Sequence, residues 1–214
     1  MLRASPGRVA TFSQSGATST NPVCRSPRRL IAGLAPHLAR GLKVVGLEPS
    51  CLLTLRDELM ALGLGPEAGA LADSSLLFEE FLAAEAKAGR LKLALKPLPA
   101  AKVLVHGHCH QKAFAAMPAL LATLRLVPGL MPETIASSCC GMAGAFGYQA
   151  ETYEVSRKMA ELALLPAVRA AAPDTKLVAC GTSCRHQIKD LAGREAVHAA
   201  RLLASALDGA QAHG

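Results

Sequence analysis

Leu177-Val178-Ala179-Cys180-Gly181-Thr182-Ser183-Cys184 aligns without gaps to Val44-Val45-Gly46-Leu47-Glu48-Pro49-Ser50-Cys51. Each segment reads as a short buried strand that runs into a turn, a Ser-Cys pair and then a helix. The shared order points to a duplicated unit and places Cys51 and Cys184 at the C-terminal edge of a sheet, where a helix begins. There a thiolate gains from unpaired N–H groups and the positive end of the helix. Open α/β sheets carry their sites at this edge.

Outward from these two anchors, strands alternate with helical stretches. Strands are expected at Lys43–Leu47, Lys102–His106, Glu133–Ala136 and Lys176–Cys180. Helices are expected at Leu30–Arg40, Leu52–Leu62, Ser74–Gly89 (with an N-terminal Ser cap), Met117–Leu126 and Tyr148–Ala171, the last bent at Pro166. Two more are expected near Arg185–Leu191 and Arg194–Leu207. The alternation defines an α/β fold, with small, mainly parallel sheets flanked by helices.

The 214 residues are 51% hydrophobic and 18% charged, enough apolar material for a core. Aromatics are only 3% with no Trp, which argues against a stacking platform for single-stranded nucleic acid. No apolar run approaches the roughly 20 residues of a bilayer span. The formal charge of +7 is carried entirely by residues 1–47, which hold seven Lys and Arg and no acid. The rest of the chain is neutral overall, so no field is available to steer phosphates, and no nucleic-acid partner is expected.

Met1–Gly16 lacks the apolar core of a secretory signal, so the seven cysteines are expected to stay reduced in a cytoplasmic setting, free for metal or redox use. Met1–Arg29, rich in Ser, Thr, Arg and Pro, reads either as an organelle transit peptide or as a disordered or non-native leader. Cys24 within it is expected to be a bystander.

The chemistry concentrates in Cys109, Cys139, Cys140 and Cys184. Cys109 lies in His108-Cys109-His110 just beyond one strand, Cys139 and Cys140 lie in Ser138-Cys139-Cys140-Gly141 beyond the next, and Cys184 follows the last. Three strand ends thus deliver thiols to one sheet edge, the requirement for an iron–sulfur cluster or a cysteine-rich zinc site. Adjacent cysteines suit a multi-iron cluster, and Gly141 lets the backbone come close and donate N–H groups to cluster sulfur. Cys180, inside its strand, reads as a small apolar core residue. His106, His108 and His110 alternate, and one of them is a candidate ligand or hydrogen-bond donor; lining or capping the cleft is the other reading. Arg185 and His186 are candidates for a substrate carboxylate or for tuning a cluster, against a merely solvated helix start. Lys112 would offset thiolate charge. No G-x-G-x-x-G dinucleotide fingerprint is present.

Gly46–Leu55, His106-Gly107-His108-Cys109-His110-Gln111-Lys112-Ala113, Ser138–Gly144 and Gly181-Thr182-Ser183-Cys184-Arg185-His186-Gln187-Ile188 together resemble the cysteine-rich CCG domain. That domain occurs in glycolate oxidase iron–sulfur subunits, in the cysteine-rich subunit of heterodisulfide reductases and at the C-terminal end of FAD-linked oxidases of the D-lactate dehydrogenase type. The resemblance covers about residues 30–208. It implies electron transfer through a 4Fe-4S-type cluster, with zinc as the alternative metal and FAD on a partner domain or subunit. It also implies one whole unit at residues 66–208, the tail of a preceding unit at residues 30–65 ending its motif at Cys51, and a short tail at 209–214. The closing pair Cys180-x-x-x-Cys184 is one residue wider than the family's Cys-x-x-Cys, so a ligand role for Cys180 rests on the family pattern alone. Without a flavin domain or ferredoxin-type cysteine runs, the chain is not expected to be a complete dehydrogenase by itself.

Overall fold

The computed structural model describes residues 9–11, 27–99 and 102–207. The chain divides into two compact units, Met1–Phe81 and Leu82–Gly214. This division follows contacts, whereas the boundary expected after Gly65 follows motifs.

The first unit holds β1 (Val9–Thr11), α1 (Pro27–Leu38), β2 (Lys43–Gly46), α2 (Pro49–Leu53), α3 (Glu58–Ala61), α4 (Pro66–Ser74) and β3 (Ser75–Leu77), from which the chain runs on into α5 (Phe78–Lys87). Its sheet has the order β1-β2-β3, all parallel, with Val44 opposite both Ala10 and Ser75. Burial of Val44 and Val45 explains why the short Lys43–Gly46 segment is extended. Strand β1 falls inside the leader expected to be unstructured.

Two helical expectations are corrected here. Leu52–Leu62 is not one helix: it is broken by turns between Leu53 and Glu58, and Thr54 Oγ1 donates to Ser50 O at 2.7 Å. Such back-bonding competes with helix continuation. Ser74–Gly89 is likewise not continuous. Ser75 Oγ donates to Leu71 O (2.7 Å) and closes α4, which began with Pro66 at its first turn. Ser75–Leu77 then extends beside β2, and Glu80 accepts from Leu77 N (2.9 Å) as the next helix starts. The serine therefore ends one helix rather than capping another.

The second unit holds β4 (Lys102–His106), α6 (Cys109–Ala113), α7 (Met117–Leu124), β5 (Met131–Thr134), a 3₁₀ turn (Phe146–Tyr148), α8 (Ala150–Glu161), α9 (Leu164–Ala170), β6 (Lys176–Ala179), α10 (Thr182–Ala192), β7 (Ala196–Val197) and α11 (Ala199–Ser205). Its sheet has the order β5-β4-β6-β7, all parallel, so the whole molecule is α/β as expected. Parallel neighbours need crossovers, and helices supply each one. Val103 and Val105 on β4 and Leu177, Val178 and Ala179 on β6 are buried, as strands covered on both faces must be.

Strand β5 sits two residues earlier than expected. The long helix predicted at Tyr148–Ala171 is two helices with the break at Leu162–Ala163; Pro166 lies in the first turn of α9, where no backbone N–H is required, and so causes no bend. Arg194–Leu207 opens as a strand, because Ala196 and Val197 pair with Leu177 and Val178. No described helix is long and apolar enough to cross a membrane.

Candidate metal centre

Register builds the site. His106, the last residue of β4, pairs with Ala179, the last of β6, while Val105 pairs with Thr134, the last of β5. The three strands therefore end level, and the segments leaving them emerge side by side. The first carries Cys109 at the start of α6, the second carries Cys139 and Cys140, and the third carries Cys184 at the third position of α10.

These four thiols form a continuous chain of contacts. Cys109 hydrogen-bonds to Cys139, Cys139 to Cys140, and Cys140 to Cys184, and all four thiols are free. A ring nitrogen of His106 and the sulfurs of Cys140 and Cys184 all lie within 4.8 Å of one another. Cys140 and Cys184 are also packed into the apolar cluster formed by Ile135, Met142, Leu177 and Ile188. Cys139 is half-buried and Cys109 is exposed, so the chain runs from the core to the surface.

The contacts split the thiols into proton holders and proton acceptors. Cys139 is held well below the ordinary thiol range, chiefly by the Cys109 thiol, then by Cys140, with Gly141 N–H donating to its sulfur at 3.3 Å. Cys184 is pulled down to about 5, chiefly by the Cys140 thiol and also by a hydrogen bond with His106, against its burial. Cys109 and Cys140 are pushed up because each donates to a neighbouring sulfur. Even without a metal, two of the four sulfurs favour the thiolate form that binds soft metals.

The surrounding residues explain how so much sulfur is gathered. Lys112 Nζ donates to the carbonyls of Ser137 and of Ser138 (2.7 Å), tying the Cys139 segment to α6. Burial lowers its basicity, while the sulfurs of Cys184 and Cys109 pull the other way. His108 caps α6: its Nδ1 accepts from His110 N (3.2 Å), and Gln111 Oε1 accepts from His108 N (3.0 Å). The rings of His108 and His110 stack at 5.2 Å, each with Nδ1 3.8 Å from Cys109 Sγ.

Two glycines are sterically required. At Gly141, φ is +90° and a Cβ would lie 2.2 Å from Ser156 O. At Gly181, a Cβ would lie 2.4 Å from Cδ2 of His108 and 3.3 Å from Cys184 Sγ.

Other sequence candidates are not among these thiol contacts. Arg185 is used within the backbone: Nη1 donates to Ala179 O (3.0 Å) and Cys180 O (2.6 Å), and Nη2 donates to Thr182 Oγ1 (3.0 Å). His186 is exposed, with Nδ1 3.0 Å from Tyr148 Oη. Cys180 is fully buried just beyond β6. Cys51 is exposed on α2 of the first unit, and Cys24 lies outside the described residues.

Sequence reading missed Ser137, whose Oγ is 2.8 Å from His106 Nδ1, and Gln187, whose Nε2 donates to Ser156 Oγ (2.9 Å) and steadies α8 against α10. It also missed Gln111, although the spacing of His108 and Gln111 is that of a capping box.

Among known proteins, the chain is similar to parts of dehydrogenases. It is 33% identical over 169 residues to D-2-hydroxyglutarate dehydrogenase of Escherichia coli K12, a match covering 76% of this chain and 15% of that protein. It is 32% identical over 168 residues to a component of the anaerobic glycerol-3-phosphate dehydrogenase of the same organism, covering 78% of this chain and 41% of that component. D-2-hydroxyglutarate dehydrogenase of Pseudomonas putida KT2440 matches at 29% over 163 residues. The chain thus spans less than half the length of these relatives. No protein-family model matches it, and no solved structure matches significantly.

Proposed function

We propose that this chain is an electron-relay module of a flavin-dependent 2-hydroxy-acid dehydrogenase, holding an iron–sulfur cluster of the 4Fe-4S type through Cys109, Cys139, Cys140 and Cys184. The observation that carries this reading is the unbroken contact chain of four thiols drawn from three level strand ends. The donor set fits: four soft sulfurs, two of them poised as thiolates, with a ring nitrogen of buried His106 within 4.8 Å of the Cys140 and Cys184 sulfurs. When bound, such a cluster takes up and releases single electrons, complementing a flavin that accepts a hydride.

The chain's own residues would set the conditions. Gly141 N–H donates to sulfur, Lys112 places a half-buried cation near the thiolates, and Arg185 pins the end of β6 from which Cys184 departs. His108 and His110 flank Cys109 at the exposed end of the thiol chain, the side open to an electron partner. The names of the relatives, a 2-hydroxy-acid dehydrogenase and one component of a dehydrogenase, support a flavin-bearing domain or subunit as that partner. In this reading residues 66–208 are one complete cysteine-rich unit, residues 30–65 are the tail of another, and the setting is the reducing cytoplasm.

Anaerobic purification tests the assignment. Brown protein with iron and acid-labile sulfide is expected. Colourless protein with neither, even after reconstitution with iron and sulfide, overturns it. Stoichiometric zinc without iron, with unfolding on chelation, would replace it by a structural zinc domain.

A further inference from the structure

We propose that His106 is a nitrogen ligand of the same centre, donating through Nε2 alongside the sulfurs of Cys140 and Cys184. The inference rests on the metal-binding reading above and adds a donor that the four-cysteine set does not contain.

Position comes first. His106 ends β4, is 1% exposed, and is fixed by its ladder pairing with Ala179. Its ring brings a nitrogen within 4.8 Å of both buried sulfurs, close enough for one ion to bridge them.

The hydrogen bonds then orient the ring. Ser137 Oγ lies 2.8 Å from Nδ1 and is oriented to donate, at a long 3.5 Å, to Ile135 O. Nδ1 is thus engaged by the hydroxyl oxygen, an arrangement that leaves Nε2 as the ring atom to offer a metal. The ring's contact with the Cys184 sulfur then falls to Nε2, which is buried with no nitrogen or oxygen partner among the described residues. Metal-bound histidines show this same division: one ring nitrogen donates to an oxygen that orients the ring, and the other faces the metal.

The neighbouring histidines differ. His108 spends Nδ1 on the cap of α6, and His110 is stacked on it at the exposed end beside Cys109. Of the three alternating histidines, His106 is the one that groups a ring nitrogen with both buried sulfurs, Cys140 and Cys184. Coordination by a neutral imidazole adds no negative charge, so it raises the reduction potential of an iron–sulfur centre relative to a thiolate in its place.

The full chain, labelled with ¹⁵N-histidine and loaded anaerobically with iron and sulfide, is read by pulsed electron paramagnetic resonance after reduction. One strongly coupled histidine nitrogen is expected, lost completely in His106→Gln and retained in His108→Gln and His110→Gln. His106→Cys, which keeps a donor but adds charge, should lower the midpoint potential. Bound iron with no coupled histidine nitrogen, coupling that survives His106→Gln, or an unchanged potential in His106→Cys overturns the ligand while leaving the iron–sulfur reading intact. Failure of the wild-type chain to bind iron overturns both.

Discussion

The strand–turn–helix that carries Cys51 and the one that carries Cys184 are built alike. In both, an apolar parallel strand lies between two others, and the cysteine is the third residue of the helix that follows. Their surroundings differ. Cys184 is 2% exposed and sits at the end of a chain of three other thiols and a histidine, whereas Cys51 is exposed and is the only cysteine among the described residues of its unit. The cause is what the neighbouring strands deliver. Beyond β4 and β5 come His108-Cys109-His110 and Cys139-Cys140; the segments after β1 (Phe12–Gly16) and β3 (Phe78–Leu82) contain no cysteine. A Ser-Cys turn at a helix start therefore offers one donor, and a metal centre needs the adjacent strand ends to offer the rest.

The sharpest way to break this contrast is to remove each cysteine in turn. Cys184→Ser should abolish or nearly abolish metal retention, while Cys51→Ser should leave the metal content at the wild-type level. Metal and sulfide analysis of anaerobically prepared proteins decides, and equal losses would show that the two motifs are equivalent after all.

A smaller effect isolates the backbone that gathers the sulfurs. Gly141→Ala combines a positive φ with a Cβ 2.2 Å from Ser156 O, and should destabilise the fold by about 2–4 kcal/mol. Gly193→Ala, at φ +63° with nothing near its Cβ, should cost only about 1 kcal/mol. Denaturant titration of the metal-free proteins measures both.

The smallest effect is electrostatic and concerns the metal-free protein. Cys139 and Cys184 lie below the ordinary thiol value of 9.0, Cys184 at about 5. Between about 5 and 9 the unfolded chain keeps protons on both thiols that the folded protein has released, so stability should rise with pH across that window; the Cys184 share is gone once pH falls through about 5, and the Cys139 share is lost only at lower pH. Above 9 the sign reverses, because folded Cys109 and Cys140 retain protons that the unfolded chain gives up. Stability of wild type minus that of a Cys139→Ser/Cys184→Ser variant, followed across pH, should show this rise; Cys51→Ser should not alter it.

Much of this was legible in residue order. Lys102–His106 and Lys176–Ala179 are continuous apolar segments with turn signals after them, and each leads into a cysteine, so both the parallel sheet and the thiol-bearing edge could be read directly. Ser75–Leu77 could not, because its flanks are good helix formers and only pairing with β2 draws it out. Ala196–Val197 failed for the same reason against β6.

Local spacing alone determined that sulfur lies just past the ends of strands, since a strand and its turn are short-range objects. Which sulfurs meet depends on ladder register between segments some thirty or more residues apart, and that only the tertiary structure decided. The same register brought Ser137 to His106, turning an ordinary strand-end histidine into one whose ring is steadied at Nδ1 and set beside two buried sulfurs.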